Sequence, residues 1–209
     1  QIEDDEYKNL QTKKTELQTL IINLNYTIDE ILHRYVSKKQ RQDIRRASRK
    51  GVSIEKLDLE NFEVFKKLSK TLKNTVGLKI KPGILYDKLY RCYFDKNKIS
   101  AFAAKFEGKY ISAYLNIGNK YITHVWIAGR IANVPKSLCQ NQLLMWESME
   151  WAKENGSKYF DLCVLEQKRL PHIARFKLGF SKNIVPFYYL TKKPFSFRIL
   201  SRIQRCFIR

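Results

Sequence analysis

Acidic residues are scarce in this chain. Only 20 Asp and Glu stand against 40 Lys and Arg in 209 residues, a formal net charge of +20. Such an excess speaks of partners and not of fold, and the candidates are nucleic acid, an anionic membrane surface or a phosphate-bearing substrate. Cysteine is thin as well. Cys92, Cys139, Cys163 and Cys206 are scattered, with no CxxC pair and no His at ligand spacing. That argues against a zinc site or a disulfide framework and fits reduced thiols in the cytoplasm. No apolar run approaches the ~20 residues of a membrane span. Internal repeats, low-complexity tracts and a signal peptide are also missing, although the chain begins at Gln1 and not at Met, which reads as a fragment with upstream targeting left open. What is present is 44% hydrophobic residues, enough for one substantial core and hence one domain, or one domain with an appendage.

Residues 1–19 open on Glu3-Asp4-Asp5-Glu6 and show no apolar period, so they read as a loop or frayed helix. Leu20-Ile21-Ile22-Asn23-Leu24 has the β-branched content of a buried strand. Thr27 with Glu30 three residues on forms a capping box, and Ile28, Ile31, Leu32 and Tyr35 recur at helical spacing. With Gly51 as the stop, the spacing predicts one helix over 27–50.

The second half of that helix is almost purely basic. Lys38, Lys39, Arg41, Arg45, Arg46, Arg49 and Lys50 stand against Asp43 alone. Lys38, Arg41, Arg45 and Arg49 share one face by i,i+3 and i,i+4 steps. That face is either solvated or built to bind anions.

Residues 52–57 alternate as a strand, and Asp58 is placed to cap a helix carrying Phe62, Phe65, Leu68 and Leu72, with Gly77 beyond its end. Pro82 opens a short helix with Ile84, Leu85, Leu89 and Tyr93 on its apolar side. The period then changes. Residues 99–106, the pair Glu107-Gly108 and residues 109–116 read as a hairpin, with Gly118-Asn119 turning into a third strand over 121–127. A helix over 137–155, capped by Asn133 or Ser137, a strand over 159–164, a short helix and a strand over 184–191 complete the order. In the tail, Phe195, Ile199, Leu200, Ile203 and Phe207 lie opposite Arg198, Arg202, Arg205 and Arg209. That amphipathic helix suits an anionic membrane interface, or packs on the domain and shows its arginines to water.

Two blocks carry a resemblance. Trp151-Ala152-Lys153-Glu154-Asn155-Gly156 followed by Asp161 reads as a helix, a Gly stop and a strand, and Arg175-Phe176-Lys177-Leu178-Gly179-Phe180 follows on its own helix. Together with the basic run ending in Arg49-Lys50-Gly51-Val52, they resemble the C-terminal half of the FemAB-like transferases, a branch of the GNAT acyltransferase superfamily. The resemblance spans roughly residues 20–190. It implies a mixed α/β fold, the GNAT acyl-CoA N-acyltransferase architecture with a mixed central sheet flanked by helices. Its divisions would be a flexible segment over 1–19, a FemAB-like GNAT domain over 20–191 and a basic amphipathic helix over 192–209.

FemAB-like enzymes move an activated acyl or aminoacyl group onto an amine, and those that build peptidoglycan bridges draw on aminoacyl-tRNA. GNAT enzymes that use acetyl-CoA carry a glycine-rich loop after the third meander strand. Here that stretch runs from Trp126 through Ala128-Gly129-Arg130 to Pro135-Lys136, with one Gly and a Pro. No tightly bound cofactor is therefore expected, and the donor is an aminoacyl-tRNA or an acyl-CoA. Trp126, Arg130 and Lys136 are the substrate-binding candidates there, the two cations for phosphate.

The chemistry needs an oriented donor, a neutral amine and a stabilised oxyanion. By resemblance, the Phe-Lys pair implicated in catalysis falls on Phe176 and Lys177, with Lys177 at the oxyanion. Phe176 shapes the cleft, stacks on a base or belongs to the core. Arg175 suits bidentate phosphate contact or a surface ion pair. Asp161 orients the amine or caps a loop. His124, among apolar neighbours, reads as a core residue, His172 as a helix cap or a base, and nothing beside Cys163 in sequence lowers its pKa.

The leading expectation is a cytoplasmic aminoacyl or acyl transferase of peptidoglycan or surface-polysaccharide precursors, at the inner face of the membrane. Its partners are a phosphate-bearing precursor, tRNA and an anionic membrane surface, with the basic face of Lys38, Arg41, Arg45 and Arg49 meeting phosphates. The alternatives are a CoA-dependent N-acetyltransferase of a polysaccharide sugar and a noncatalytic module that docks on RNA or membrane.

Overall fold

The computed structural model describes residues 13–76 and 83–191. In order they form β1 (Lys13–Asn23), α1 (Ile28–Arg34), α2 (Lys38–Arg49), β2 (Ser53–Leu57), α3 (Glu63–Val76), α4 (Gly83–Tyr93), β3 (Ile99–Phe106), β4 (Lys109–Gly118), β5 (Ile122–Arg130), α5 (Gln140–Glu154), β6 (Tyr159–Asp161), α6 (Pro171–Leu178) and β7 (Ile184–Thr191). The strands make one sheet in the order β2-β3-β4-β5-β6-β1-β7. The chain divides into two compact units, Thr19–Val185 and residues 1–18 with 186–209. Of the smaller unit, the described part is the outer ends of β1 and β7, where the Lys14 ammonium stands 4.0 Å from the centre of the Tyr188 ring.

In the larger unit β2, β3, β4 and β5 run as an antiparallel meander. Glu107 (φ 48°) and Gly108 (φ 73°) supply the two left-handed residues that a tight hairpin between β3 and β4 requires. β6 then pairs parallel to β5 and antiparallel to β1. Side chains alternate across the sheet. Phe102, Ala104, Ile111 and Tyr114 join a core with residues of α1, α2 and α5. Ala101, Ala103, Ala113 and Leu115 join a second core with Phe62, Phe65, Leu68, Tyr86 and Tyr90 of the α3–α4 segment. Asn116, fully buried, donates to Ser100 and Ser148 and so pins α5 to the sheet.

Four local expectations change. Residues 13–19, read as loop or frayed helix, belong to β1. The expected helix over 27–50 is two helices. The Thr27–Glu30 capping box opens α1 as predicted, but the helix breaks after Arg34 and Ser37 caps a new one by accepting from the Gln40 amide. Arg41 Nη1 takes up the carbonyls that the break leaves free, those of Leu32 (3.4 Å) and Val36 (2.7 Å). At α5, neither Asn133 nor Ser137 serves as the N-cap. A 3-10 turn (Lys136–Leu138) leads into Cys139 in the left-handed conformation (φ 54°), and the helix begins with no side-chain cap. The strand expected over 159–164 ends at Asp161, because Cys163 turns left-handed (φ 61°) and takes the chain out of the sheet. Gly77, Pro82 and the amphipathic tail lie outside the described residues.

Candidate active site

The short helix α6 organises the site. Pro171 starts it, Ala174 is buried and the Phe176 ring packs 5.2 Å from that of Phe180. Its last turn is locked to the first turn of α2: the Ser37 amide donates to the Gly179 carbonyl (2.8 Å), and Gln40 Nε2 donates to the Phe176 carbonyl (3.3 Å). Gly179 caps the helix in ordinary right-handed geometry (φ −73°), so backbone freedom is not its purpose. Close approach is: a Cβ there would stand 2.5 Å from Gln40 Nε2 and 2.7 Å from its Cγ.

On this side of α6 a cleft of about 480 Å³ opens, lined among others by Lys39, Arg46, Lys136, His172, Arg175 and Phe176. Asp43, the acid in its wall, is buried and already bridged by Lys39 (2.9 Å) and Arg46 (3.2 Å). Cys139, at the uncapped start of α5, also lines it. Gln40 is 8% exposed, yet its Oε1 carries no hydrogen bond among the described residues. The cleft thus offers cations, an uncapped helix start and one buried acceptor, a set suited to a phosphate ester that also carries an N–H or O–H donor.

Of the predicted binding residues, Lys136, Arg175 and Phe176 meet at this cleft. Lys38, Arg45 and Arg49 are exposed on a different arc of α2, and the cleft takes Lys39 and Arg46 instead. Arg41 is engaged with main-chain carbonyls. Arg130 is exposed at the end of β5, away from the cleft lining. Trp126 packs with the α3–α4 core, edge-on to Tyr86 at 6.3 Å. Gly129, the single glycine of the loop-like stretch, sits within β5. A Cβ on it would lie 2.6 Å from the Ser69 nitrogen, so this glycine admits the backbone of α3.

Lys177 lies two residues on from Arg175, about 200° around the helix. It reaches the loop after β6, where Nζ donates to the carbonyls of Val164 (2.8 Å) and Cys163 (3.3 Å). Burial lowers its pKa from the usual lysine value, with Cys163, Asp161 and Glu166 pulling the other way. An ammonium has three protons, so two carbonyls leave one for a ligand.

Asp161 anchors the cluster next to it. Its Oδ1 accepts from the Thr19 hydroxyl and from the Cys163 amide (2.7 Å), and its Oδ2 is 2.8 Å from His124 Nδ1. Burial works to raise its pKa, but these hydrogen bonds outweigh it and hold the carboxyl below its ordinary value. Cys163 is pushed up to about 12 by burial and by the Asp161 charge, so it is a thiol at neutral pH. Donor atoms of His124, Asp161 and Cys163 lie within 4.8 Å of one another. Within the set, His124 Nδ1 and the Cys163 amide are hydrogen-bonded to the two Asp161 oxygens. His124, read as a core residue from sequence, is the partner that sequence reasoning missed. Only the parallel register of β5 and β6, which sets His124 opposite Asp161, reveals it.

The fold, a meander followed by a helix and a parallel strand with helices on both faces, is that of GNAT-like acyltransferases. It matches an aminoglycoside acetyltransferase from an uncultured soil metagenomic sample with a TM-score of 0.50 at 13% identity, over 68% of this chain and 97% of that one. A profile of the FemAB family matches residues 7–113, just over half of the sequence, and the chain belongs to that family. The matched span takes in the basic helix and ends before α6. Among solved structures, FemX matches with a TM-score of 0.70 at 14% identity, over 90% of this chain and 66% of that one. L-PGS from Bacillus licheniformis matches with a TM-score of 0.61 at 14% identity, over 94% and 67%. The chain therefore spans about two thirds of the length of these proteins. No curated protein matches it in sequence.

Proposed function

We propose that this chain transfers an aminoacyl group from an aminoacyl-tRNA to an amine of a phosphate-bearing cell-envelope precursor. The observation that carries the reading is the meeting on α6 of a cation-lined cleft on one side and, on the other, a half-buried lysine fixed by two main-chain carbonyls. Membership of the FemAB family and the likeness to FemX support it. In this reading Arg175 and Lys136 hold phosphate and Phe176 walls the cleft. The ammonium of Lys177, fixed by two carbonyls, donates its remaining proton to the oxygen of the tetrahedral intermediate. A cation at that point favours the transition state over the neutral carbonyl.

The test is incubation of the purified protein with radiolabelled aminoacyl-tRNA and nucleotide-linked or lipid-linked peptidoglycan precursors. Label appearing in the precursor, and dependent on Lys177, supports the proposal. Label that stays on tRNA with every precursor overturns it. Acetyl-CoA separates the second reading, which the uncapped start of α5 beside Lys136 favours. A rise in melting temperature with acetyl-CoA and none with tRNA would point to an acetyltransferase.

Among the described residues no helix is long and apolar enough to cross a membrane. Contact with an anionic membrane surface is part of the proposal only through the basic tail.

A further inference from the structure

β5 and β6 are parallel neighbours that stay paired for three residues, Ile122–Tyr159, Thr123–Phe160 and His124–Asp161. β6 then ends while β5 continues to Arg130. The His124–Asp161 pair is thus the last paired position before the two strands part, at the C-terminal end of β6, the end at which open α/β sheets bind their ligands. The two side chains differ in exposure. Asp161 is 12% exposed and His124 37%. Both Asp161 oxygens accept hydrogen bonds, from Thr19, from the Cys163 amide and from His124 Nδ1. An ionised carboxylate can only accept, so Nδ1 carries the proton and Nε2 is left as the ring's free position. No hydrogen bond to Nε2 is present among the described residues.

We infer that His124 is the general base of the transfer and that Asp161 is its positioning residue, an inference that rests on the acyl-transfer reading above. The arrangement matches the physical requirement for a histidine base: one ring nitrogen held by a buried carboxylate, the other presented to the ligand. The groups around the imidazole are Asp161 on β6, Cys163 on the loop after it, Thr19 on β1 and Lys177 on α6, the last facing the same loop with Glu166 in reach of its charge. The Asp161 carboxylate, 2.8 Å from Nδ1, stabilises the imidazolium that forms in the reaction. The amine arrives as its free base. Its nitrogen attacks the ester carbonyl carbon, and the C–N bond forms as the proton passes to His124 Nε2. The bond from carbon to the ribose oxygen of the tRNA then breaks, and the same proton passes from Nε2 to that oxygen. Amide and free hydroxyl leave, and the imidazole is neutral again. Lys177 meets the oxyanion in between.

Two measurements test the inference. In long-range nitrogen–proton NMR spectra of the wild-type protein at neutral pH, His124 should show a protonated Nδ1 and an unprotonated Nε2. The opposite tautomer, or a doubly protonated ring, would overturn the base assignment, and this readout needs no turnover. Asp161→Asn should shift the tautomer toward Nε2–H, because the amide can donate as well as accept; an unchanged tautomer removes Asp161 as the positioning residue. In transfer from aminoacyl-tRNA, His124→Gln should lower kcat by roughly 10²–10⁴-fold with little change in KM and abolish the acid limb of the pH–rate profile. A His124→Gln enzyme that keeps full kcat and the acid limb sinks the inference. If the wild type shows no transfer but the tautomer is as stated, the transfer reading fails and the histidine still presents an open base. If transfer occurs and the tautomer is reversed, the failure belongs to His124 alone.

Discussion

Gln40 lies against Gly179 so closely that no side chain fits between them, and through this contact the basic helix α2 is held to α6. Gly179→Ala would force the Gln40 side chain aside and break its bond to the Phe176 carbonyl. We expect a loss of about 1–3 kcal/mol, the cost of overpacking together with a broken hydrogen bond. Chemical denaturation measures it. Adding Gln40→Ala should recover part of the loss, and a double variant whose losses simply add would show that the two residues are not coupled.

Lys177→Met removes the charge and keeps most of the volume. The effect should fall on kcat and not on KM, at roughly 10²–10³-fold, since the cation acts mainly in the transition state. Lys177→Arg should restore only part, because a fork is wider than an ammonium. Folding is checked by thermal unfolding. Full turnover in the Met variant would remove the lysine from the mechanism.

Charge reversal at Lys136 and Arg175 should weaken tRNA binding and flatten the slope of log affinity against log salt by roughly one unit for each phosphate left without its cation. The same reversal at Arg45 and Arg49, which face away from the cleft lining, should change the slope less. Filter binding over a salt series decides the matter. Equal slopes for the two pairs would return binding to the exposed arc of α2.

Glu150 on α5 is raised to about 7, by burial first and by neighbouring Glu147 second. A carboxyl whose folded pKa is raised binds its proton more tightly folded than unfolded. The stability it contributes is full below the ordinary glutamate range and is lost as pH climbs through about 7. Glu150→Gln should therefore raise the melting temperature at about pH 8 and change it little at about pH 5. A shift of the same size at both would assign the effect to something other than titration.

Much of this was legible in the chain itself. Glu107-Gly108 closes the hairpin where the alternating pattern of the strands breaks, with both residues left-handed. Thr27 and Glu30 close their capping box within four residues. The basic run that ends at Gly51 falls inside the FemAB match. These features are local: the atoms that stabilise them are a few residues apart. The site is not local. Lys38-Arg45 and Lys39-Arg46 are equally good helical pairs by period, and only the docking of Ser37 on Gly179 turns the second pair to the cleft. His124 and Asp161 are 37 residues apart and meet because α5 carries the chain back to lay β6 parallel to β5. Sequence determined which residues could carry charge and protons, through short-range geometry. The tertiary structure decided which of them share one space, because strand register and helix facing are set by long-range packing.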